Sequence, residues 1–303
     1  MWSRQISQLG SYSVYRFLNT ETNSGFSVVP ERGGCLTEIQ FKGISVLDGY
    51  RDIDELETLD FGKSALLAPF PNRLRDGKYQ LQGKEYRFPI NEPARNNTLH
   101  GFVMDKPFEV ADEGEDHIAL EYIYAGGFSY YPFPFVLRVR YSMASAASFE
   151  VQMELKNTGT RSMPAGLGWH PYFQLGAPMD SISMKLPPVD RIEIDSQMIP
   201  TGERTPFPDF QHEKKIGDTP FDNGFFLTDP GVRSEVRLQF EDLRLLYWQE
   251  SVFSFLQVFI PPDRQCIALE PMTCNIDAFN NGEGLKMLEP GESLGGNAGV
   301  VLF

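Results

Sequence analysis

Cysteine and histidine are scarce in this chain, and its basic residues are outnumbered. Cys35, Cys266 and Cys274 form no CxxC pair and are odd in number, which excludes a disulfide framework and fits free thiols in a reducing compartment. The four histidines, His100, His117, His170 and His212, stand far apart with no HxH or HExxH spacing, so no zinc motif is spelled out. No GxGxxG follows a strand and no GxxxxGK[ST] occurs; a nucleotide reading lacks its phosphate cradle, and no serine-hydrolase elbow is expected. Lys and Arg total 27 against 41 Asp and Glu, a formal charge of -14. That field repels polyphosphate and anionic lipid, which disfavours nucleic-acid and membrane partners and leaves neutral small molecules. The N-terminus lacks the apolar core of roughly 7–15 residues that a signal peptide carries. No run approaches the ~18 apolar residues of a membrane span. The expectation is a soluble, cytoplasmic protein.

What is present is a β pattern. With 41% hydrophobic and 13% aromatic residues in 303, the chain can bury a sizeable core. Apolar residues alternate with polar ones wherever a pattern is legible. Tyr12, Val14 and the aromatics up to Phe17 open the first strand, Phe26 to Val29 follow, Gly33 and Gly34 mark a turn, and 43–47 (GISVL) is a further strand. Residues 51–60 carry Ile53, Leu56 and Leu59 at helical spacing and form the best short helix. Residues 78–90 are a hairpin turning at Gln82, Gly83 and Lys84. The clearest hairpin pairs Leu137, Val139, Tyr141 and Met143 with Phe149, Val151, Met153 and Leu155, one face dry and one wet. The last strand reaches Phe303. With 22 prolines and 27 glycines as punctuation and no repeat or composition break, the chain reads as one all-β domain over 1–303. At this size a large antiparallel β-sandwich of two sheets face to face is expected.

The candidate chemistry starts from 265–280. Ile267, Ala268 and Leu269 form a short apolar strand that delivers Glu270, and Pro271 is expected to stop it. A carboxylate there is costly unless charge partners or chemistry hold it; the plain alternative is a strand-end Glu paired with an Arg or in water. His100 follows a polar loop and precedes Gly101, which leaves its imidazole room to face a cavity. In GLGWHPYF, His170 and Tyr172 share one side of an extended piece while Trp169 and Phe173 take the other. An imidazole beside a phenol suits a polyol. His117 and His212 read as surface residues. Arg73 sits behind Phe70, whose flanking prolines stiffen the approach and suggest that Asn72 and Arg73 are placed. Asp222, in PFDNG, has an alternative as an Asx-turn former.

Taken in series, these segments resemble the aldose 1-epimerase (galactose mutarotase) family. The motifs are PFPNRLRDGKYQLQGKEYRFPIN, LHGF, WHPYF, PFDNGF, LEPMTCNIDAFN and a late LEPGES, in family order over 68–293. The resemblance implies a β-supersandwich with an open sugar cleft, no cofactor and no metal, acting on a small-molecule sugar as a monomer or homodimer. It implies that Glu270 is the general base and His170 the general acid. Arg73, His100 and Asp222 then hold sugar hydroxyls, and Gln257 aligns with a family Gln that also touches the sugar. The chemistry suits these residue types. A hemiacetal opens when a base takes the anomeric proton and an acid protonates the ring oxygen, two proton-transfer groups expected on opposite sides of the ring. Arg and His donors also stabilise charge developing on oxygen.

One departure stands out: after LHG the chain continues Phe102, Val103, Met104, Asp105, where many galactose mutarotases have a further Gly and soon a Trp. The rim is therefore expected to differ. A related branch acts on hexose 6-phosphates and shares an HGF-type loop; Arg75 and Lys78 lie near Arg73 in sequence, while the HPYF and LEPMT segments resemble the aldose branch more closely. A non-catalytic carbohydrate-binding protein on the same sandwich is the third reading, and it has no need of both Glu270 and His170.

Overall fold

The computed structural model describes residues 1–229, 231 and 233–303. Its layers follow from the alternation in the sequence. In Phe135–Ser145 the odd-numbered Leu137, Val139, Tyr141 and Met143 are buried, while Arg138 faces water. The partner strand Ser148–Asn157 repeats this with Phe149, Val151, Met153 and Leu155. They belong to a nine-stranded antiparallel sheet in which the C-terminal strand Ser293–Leu302 lies between Ser148–Asn157 and Leu243–Glu250. The tail is thus a central strand.

The second large sheet has eight strands, ordered Pro200–Pro206, Val189–Ile194, Asp222–Leu227, Phe255–Phe259, Ile267–Met272, Gly168–His170 and Ala65–Leu67, with Tyr172–Phe173 also on Ile267–Met272. A five-stranded sheet from Trp2–Leu9 to Ile44–Ser45 is the third large one, and two-stranded sheets accompany them. One contiguous hydrophobic cluster joins Phe17 and Phe26, Leu137 and Val139, and Leu256, Val258 and Leu269, so all three sheets share a core. The expected all-β antiparallel sandwich holds, with the five-stranded sheet as an addition to the two anticipated.

Several local expectations hold and several are corrected. The helix is Ile53–Thr58, capped by the Asp52 carboxylate accepting the Glu55 N–H at 2.9 Å. The hairpin at 78–90 pairs Lys78–Leu81 with Lys84–Arg87. The first strand is not at Tyr12: Trp2–Leu9 precedes it as an exposed edge strand, which needs no apolar alternation. The 43–47 strand shrinks to Ile44–Ser45 plus a bridge from Leu47 to Phe173. The string GESLG at 291–295 has the spelling of a nucleophile elbow, but it is a turn running into a strand, with no helix after Ser293.

Pro271 does not stop its strand, which runs on to Met272 with Pro271 opposite Leu256. The reason is positional. Leu269 N–H donates to Pro171 O at 3.3 Å and Thr273 N–H to Leu167 O at 2.9 Å, so the missing N–H of Pro271 points to the same neighbour. By that register Pro271 faces Trp169, inside Gly168–His170, so one ladder bond to that neighbour is missing. The strand runs on because its other edge is paired continuously with Phe255–Phe259 from Ala268 to Met272, so the loss of one bond does not end it.

Candidate active site

Strand register places the first two site residues. Gln257 and Glu270 are direct cross-strand partners. Because neighbouring residues alternate faces, Leu256, Val258 and Leu269 enter the core while Gln257 and Glu270 turn to the other side, into a cleft of about 400 Å³. His170 arrives from the adjoining strand. As expected, His170 and Tyr172 share a side, their rings stacked at 5.0 Å and 17°. Trp169 and Phe173 meet edge to face on the other side at 6.3 Å. Nε2 of His170 lies 3.3 Å from Oε1 of Glu270. The two groups are therefore side by side, not on opposite sides of a bound ring. This suits a hemiacetal better, because its two reacting oxygens are bonded to one carbon.

The adjoining wall is built from two loops that hold each other, with the His100 ring edge to face against His170 at 5.2 Å. Asn72 and His100 are both left-handed, with φ of 58° and 61°. His100 N–H donates to Asn72 O at 2.8 Å, and Asn72 N–H donates to His100 Nδ1 at 3.1 Å. With Nδ1 accepting, a neutral His100 carries its proton on Nε2. Gly101 lets this happen: at φ 68° a Cβ there would sit 2.0 Å from Ala68 O, while Phe102 N–H bonds that same oxygen at 3.0 Å.

The Asn72 side chain joins the rest. Its Oδ1 accepts from Arg73 N–H at 2.9 Å and Arg73 Nη1 at 3.3 Å, and its Nδ2 donates to Gln257 Oε1 at 3.3 Å. Gln257 Nε2 in turn donates to Asp222 Oδ1 at 3.0 Å. Arg73 is held from behind by Glu92, with Nε and Nη2 3.0–3.2 Å from its oxygens. Asp222 opens the strand Asp222–Leu227 opposite Phe259; the Asx-turn alternative is not adopted, since its carboxylate takes the Gln257 amide. All six residues singled out in the sequence, Arg73, His100, His170, Asp222, Gln257 and Glu270, line this one cleft.

Burial dominates the electrostatics. It raises Glu270 well above the ordinary carboxylate range, Asp222 adding to the effect and Arg73 opposing it. It lowers His170 to about 4 and His100 well below its usual value, the His170 and Arg73 charges adding to the latter. Asp222 is raised, again by burial, against the pull of Arg73 and Arg95. A short contact between Glu270 and His170 would favour an ion pair in water. In this buried setting both neutral forms gain instead, because two charges are expensive to desolvate. The ion pair and the neutral pair hold the same single proton, and the two groups titrate as a unit. Glu270 Oε2 and His170 Nδ1 are buried and have no hydrogen-bond partner. Buried polar atoms are rarely left so, and Oε2 belongs to a residue that lines the cleft.

Sequence reasoning placed Asn72 without giving it a role; its contact to Gln257 spans 185 positions and leaves no local signal. It also missed the apolar part of the cleft, Phe61, Leu99 and Phe259. Met104, in the departure after LHG, does line the rim. His117 lies elsewhere, between Asp112 at 3.2 Å and Asp116 at 3.0 Å, and His212 is exposed. No group of three or more His, Cys, Asp or Glu side chains is gathered as a metal site among the described residues.

Comparison with known proteins bears on this cleft. The family model for aldose 1-epimerase matches residues 18–299. The Escherichia coli protein YihR, itself uncharacterized, is 29% identical over 273 residues, covering 86% of this chain and 84% of its own. A probable aldose 1-epimerase of Arthroderma benhamiae is 24% identical, over 58% of this chain and 43% of its own. Among solved structures, a galactose mutarotase-like protein of Clostridium acetobutylicum superposes with a TM-score of 0.89 at 20% identity, over 100% of this chain and 98% of that one. Galactose 1-epimerase of Lactobacillus acidophilus gives 0.83 at 15% identity, over 100% and 98%. At these identities the structures speak for the fold.

Proposed function

The chain belongs to the aldose 1-epimerase family, and from that premise we propose that it interconverts the α and β anomers of a free aldose. Glu270 is the general base and His170 the general acid. Arg73, His100, Asp222 and Gln257 bind the sugar hydroxyls. The observation that carries this reading is the 3.3 Å contact between His170 and Glu270 inside the cleft, with a carboxylate oxygen left unpartnered.

The proton bookkeeping closes on this pair. In ring opening Glu270 takes the anomeric hydroxyl proton, the C1–O1 electrons form the carbonyl, and the C1–ring-oxygen bond breaks. The ring oxygen takes the proton of His170. The ion pair has become the neutral pair, with no proton gained or lost. After rotation about C1–C2, the hydroxyl returns its proton to His170 as it attacks the carbonyl from the other face. Glu270 then protonates the new anomeric oxygen. Burial brings the two protonation patterns closer in energy by penalising the ion pair, which is what a group pair that must pass through both requires. Arg73 and His100 Nε2–H supply donors for charge on oxygen.

Arg73 is the only Lys or Arg lining the cleft among the described residues, and Glu92 already engages it. This favours a neutral sugar. The free, buried state of all three cysteines supports placement in the cytoplasm. NMR exchange spectroscopy or polarimetry on fresh α-glucose, α-galactose and α-xylose tests the proposal. Purified protein should accelerate anomer exchange of at least one; failure on all of a broad aldose panel sinks the reading.

A further inference from the structure

Phe61 stands at the mouth of the cleft with 53% of its surface exposed. One exposed aromatic is ordinary, and exposure alone decides nothing. The backbone beneath it is not ordinary. Phe61 has φ 57°, and Leu59, Gly62 and Ser64 are left-handed beside it. A bulky residue held in that region is strained and persists where its surroundings over-determine it.

Those surroundings are the walls of the site. Tyr172 Oη–H donates to Phe61 O at 3.1 Å, Ser64 N–H donates to His170 O at 2.8 Å, and Lys63 Nζ pairs with the largely buried Asp48 at 2.9 Å. The turn is thereby clamped to the strands that carry the proposed acid. The Phe61 ring faces that of Phe259 at 6.4 Å and 30°. Phe259 lies two residues after Gln257 and so shares its face of the strand. Met104 also lines the cleft, its Cε 3.6 Å from where a Cβ on Gly62 would fall. An apolar bracket of Phe61, Phe259 and Met104 thus stands in the same cleft as the polar set of Asn72, Arg73, Asp222 and Gln257.

We propose that Phe61 is a substrate-binding residue whose ring packs against the C–H face of the bound aldopyranose. The inference rests on the aldose reading above and deepens it. A pyranose offers hydroxyls around its edge and C–H groups on its faces. A cleft with polar groups on one side and an aromatic bracket on another reads both, as small-molecule sites commonly do. Such a contact is made equally with the closed sugar and with the reacting one, so it acts on KM and spares kcat.

The test compares the full-length wild type with Phe61→Ala, Phe61→Gly and Phe61→Tyr by NMR exchange on glucose, galactose and xylose. Phe61→Ala is expected to raise KM about tenfold with kcat within twofold, and Phe61→Tyr to restore wild-type values. Phe61→Gly removes the ring and also relieves the left-handed strain, so its melting temperature should equal or exceed that of the wild type while its KM rises like that of Phe61→Ala. Unchanged KM in Phe61→Ala and Phe61→Gly for every sugar turned over would overturn the assignment, as would a fall in kcat alone. Saturation-transfer NMR on the same samples separates the two claims. If the wild type binds sugars without turnover, the epimerase reading fails, while loss of transfer to ring C–H protons in Phe61→Gly still supports the stacking role. Transfer that persists in Phe61→Gly, or no transfer in the wild type, removes it.

Discussion

Nε2 of His170 and Oε1 of Glu270 are 3.3 Å apart, with both side chains more than nine-tenths buried. Replacing Glu270 by Gln keeps the shape and removes the base. General acid–base groups contribute about 10²–10⁴ in rate, so Glu270→Gln should lose that much kcat. The melting temperature should hold or rise, since the amide keeps the carboxyl's shape and cannot carry the charge that burial penalises. Polarimetry and a thermal melt on one preparation check both. Activity within tenfold of wild type would mean the base is elsewhere.

The same pair contributes to the response to pH. The His170 imidazole falls from 6.5 to about 4 on folding. Between those values the unfolded chain binds a proton that the folded chain refuses, so stability is full above pH 6.5 and is lost as pH falls toward 4. Glu270 runs the other way: its folded carboxyl keeps its proton above the ordinary 4.5, and the stability it brings is present below that value and declines as pH rises. His170→Asn removes its share of the first trend and leaves that of His100, which runs the same way. From pH 7 to pH 4 the variant should lose less stability than wild type, by on the order of 3 kcal/mol at most, read from urea midpoints. Equal losses would show that His170 does not titrate as its burial requires. Activity of the wild type should fall on the acid side near pH 4, where a second proton enters the pair.

The sandwich was legible because its core strands alternate strictly, as in Leu137, Val139, Tyr141 and Met143. The same period-2 rule put His170 beside Tyr172. Where the rule carries no signal the sequence was mute. The edge strand Trp2–Leu9 is largely solvent-exposed and shows no apolar face. Pro271 was misread because a strand survives one missing ladder bond when its other edge is fully paired, and that pairing is with another stretch of chain. The six site residues were recognised as family motifs; composition and spacing alone did not assign them. Asn72 and Phe61 escaped because their parts in the cleft depend on left-handed backbone and on contacts with remote strands.

Asn72 is the residue on which Arg73 and Gln257 both depend. Its φ of 58° would penalise Ala, so Asn72→Gly is the cleaner change: it keeps the backbone contacts to His100 and deletes the amide. Hydrogen bonds involving a charged partner contribute about 1.5–3 kcal/mol. Sugar KM should therefore rise by about tenfold or more, with a smaller change in kcat. Unchanged KM and kcat would show that Arg73 and Gln257 hold their places without it.

Gly101 separates fold from chemistry. A Cβ there would lie 2.0 Å from the Ala68 carbonyl at a left-handed φ, and the loop that would have to move carries His100. Gly101→Ala should destabilise the protein by about 2 kcal/mol or more and cut activity together with stability. A variant that melts like wild type would mean the two loops can part without cost, and the positioning of His100 by Asn72 would have to be abandoned.

The phosphate-sugar alternative turns on Arg75 and Lys78, which lie near Arg73 in sequence. In space they leave it. Arg75 reaches Gln197 at 2.7 Å and Asp195 at 2.5 Å, Lys78 pairs with Asp76 at 3.4 Å, and both line a separate surface hollow beside Asp277 and Asn280. Alternation explains the divergence only in part, since Arg73 and Arg75 share a face of the strand Arg73–Arg75; the carboxylates of Glu92 and Asp195 draw them to different partners. The doubly substituted Arg75→Ala, Lys78→Ala protein should therefore keep KM for its best neutral aldose within twofold. Glucose 6-phosphate should be turned over less efficiently than glucose by the wild type, because the carboxylates of Glu270 and Asp222 share the cleft with one cation already bound to Glu92. A preference for the phosphate, abolished by the double substitution, would reverse the assignment and put the anion-binding residues in that neighbouring hollow.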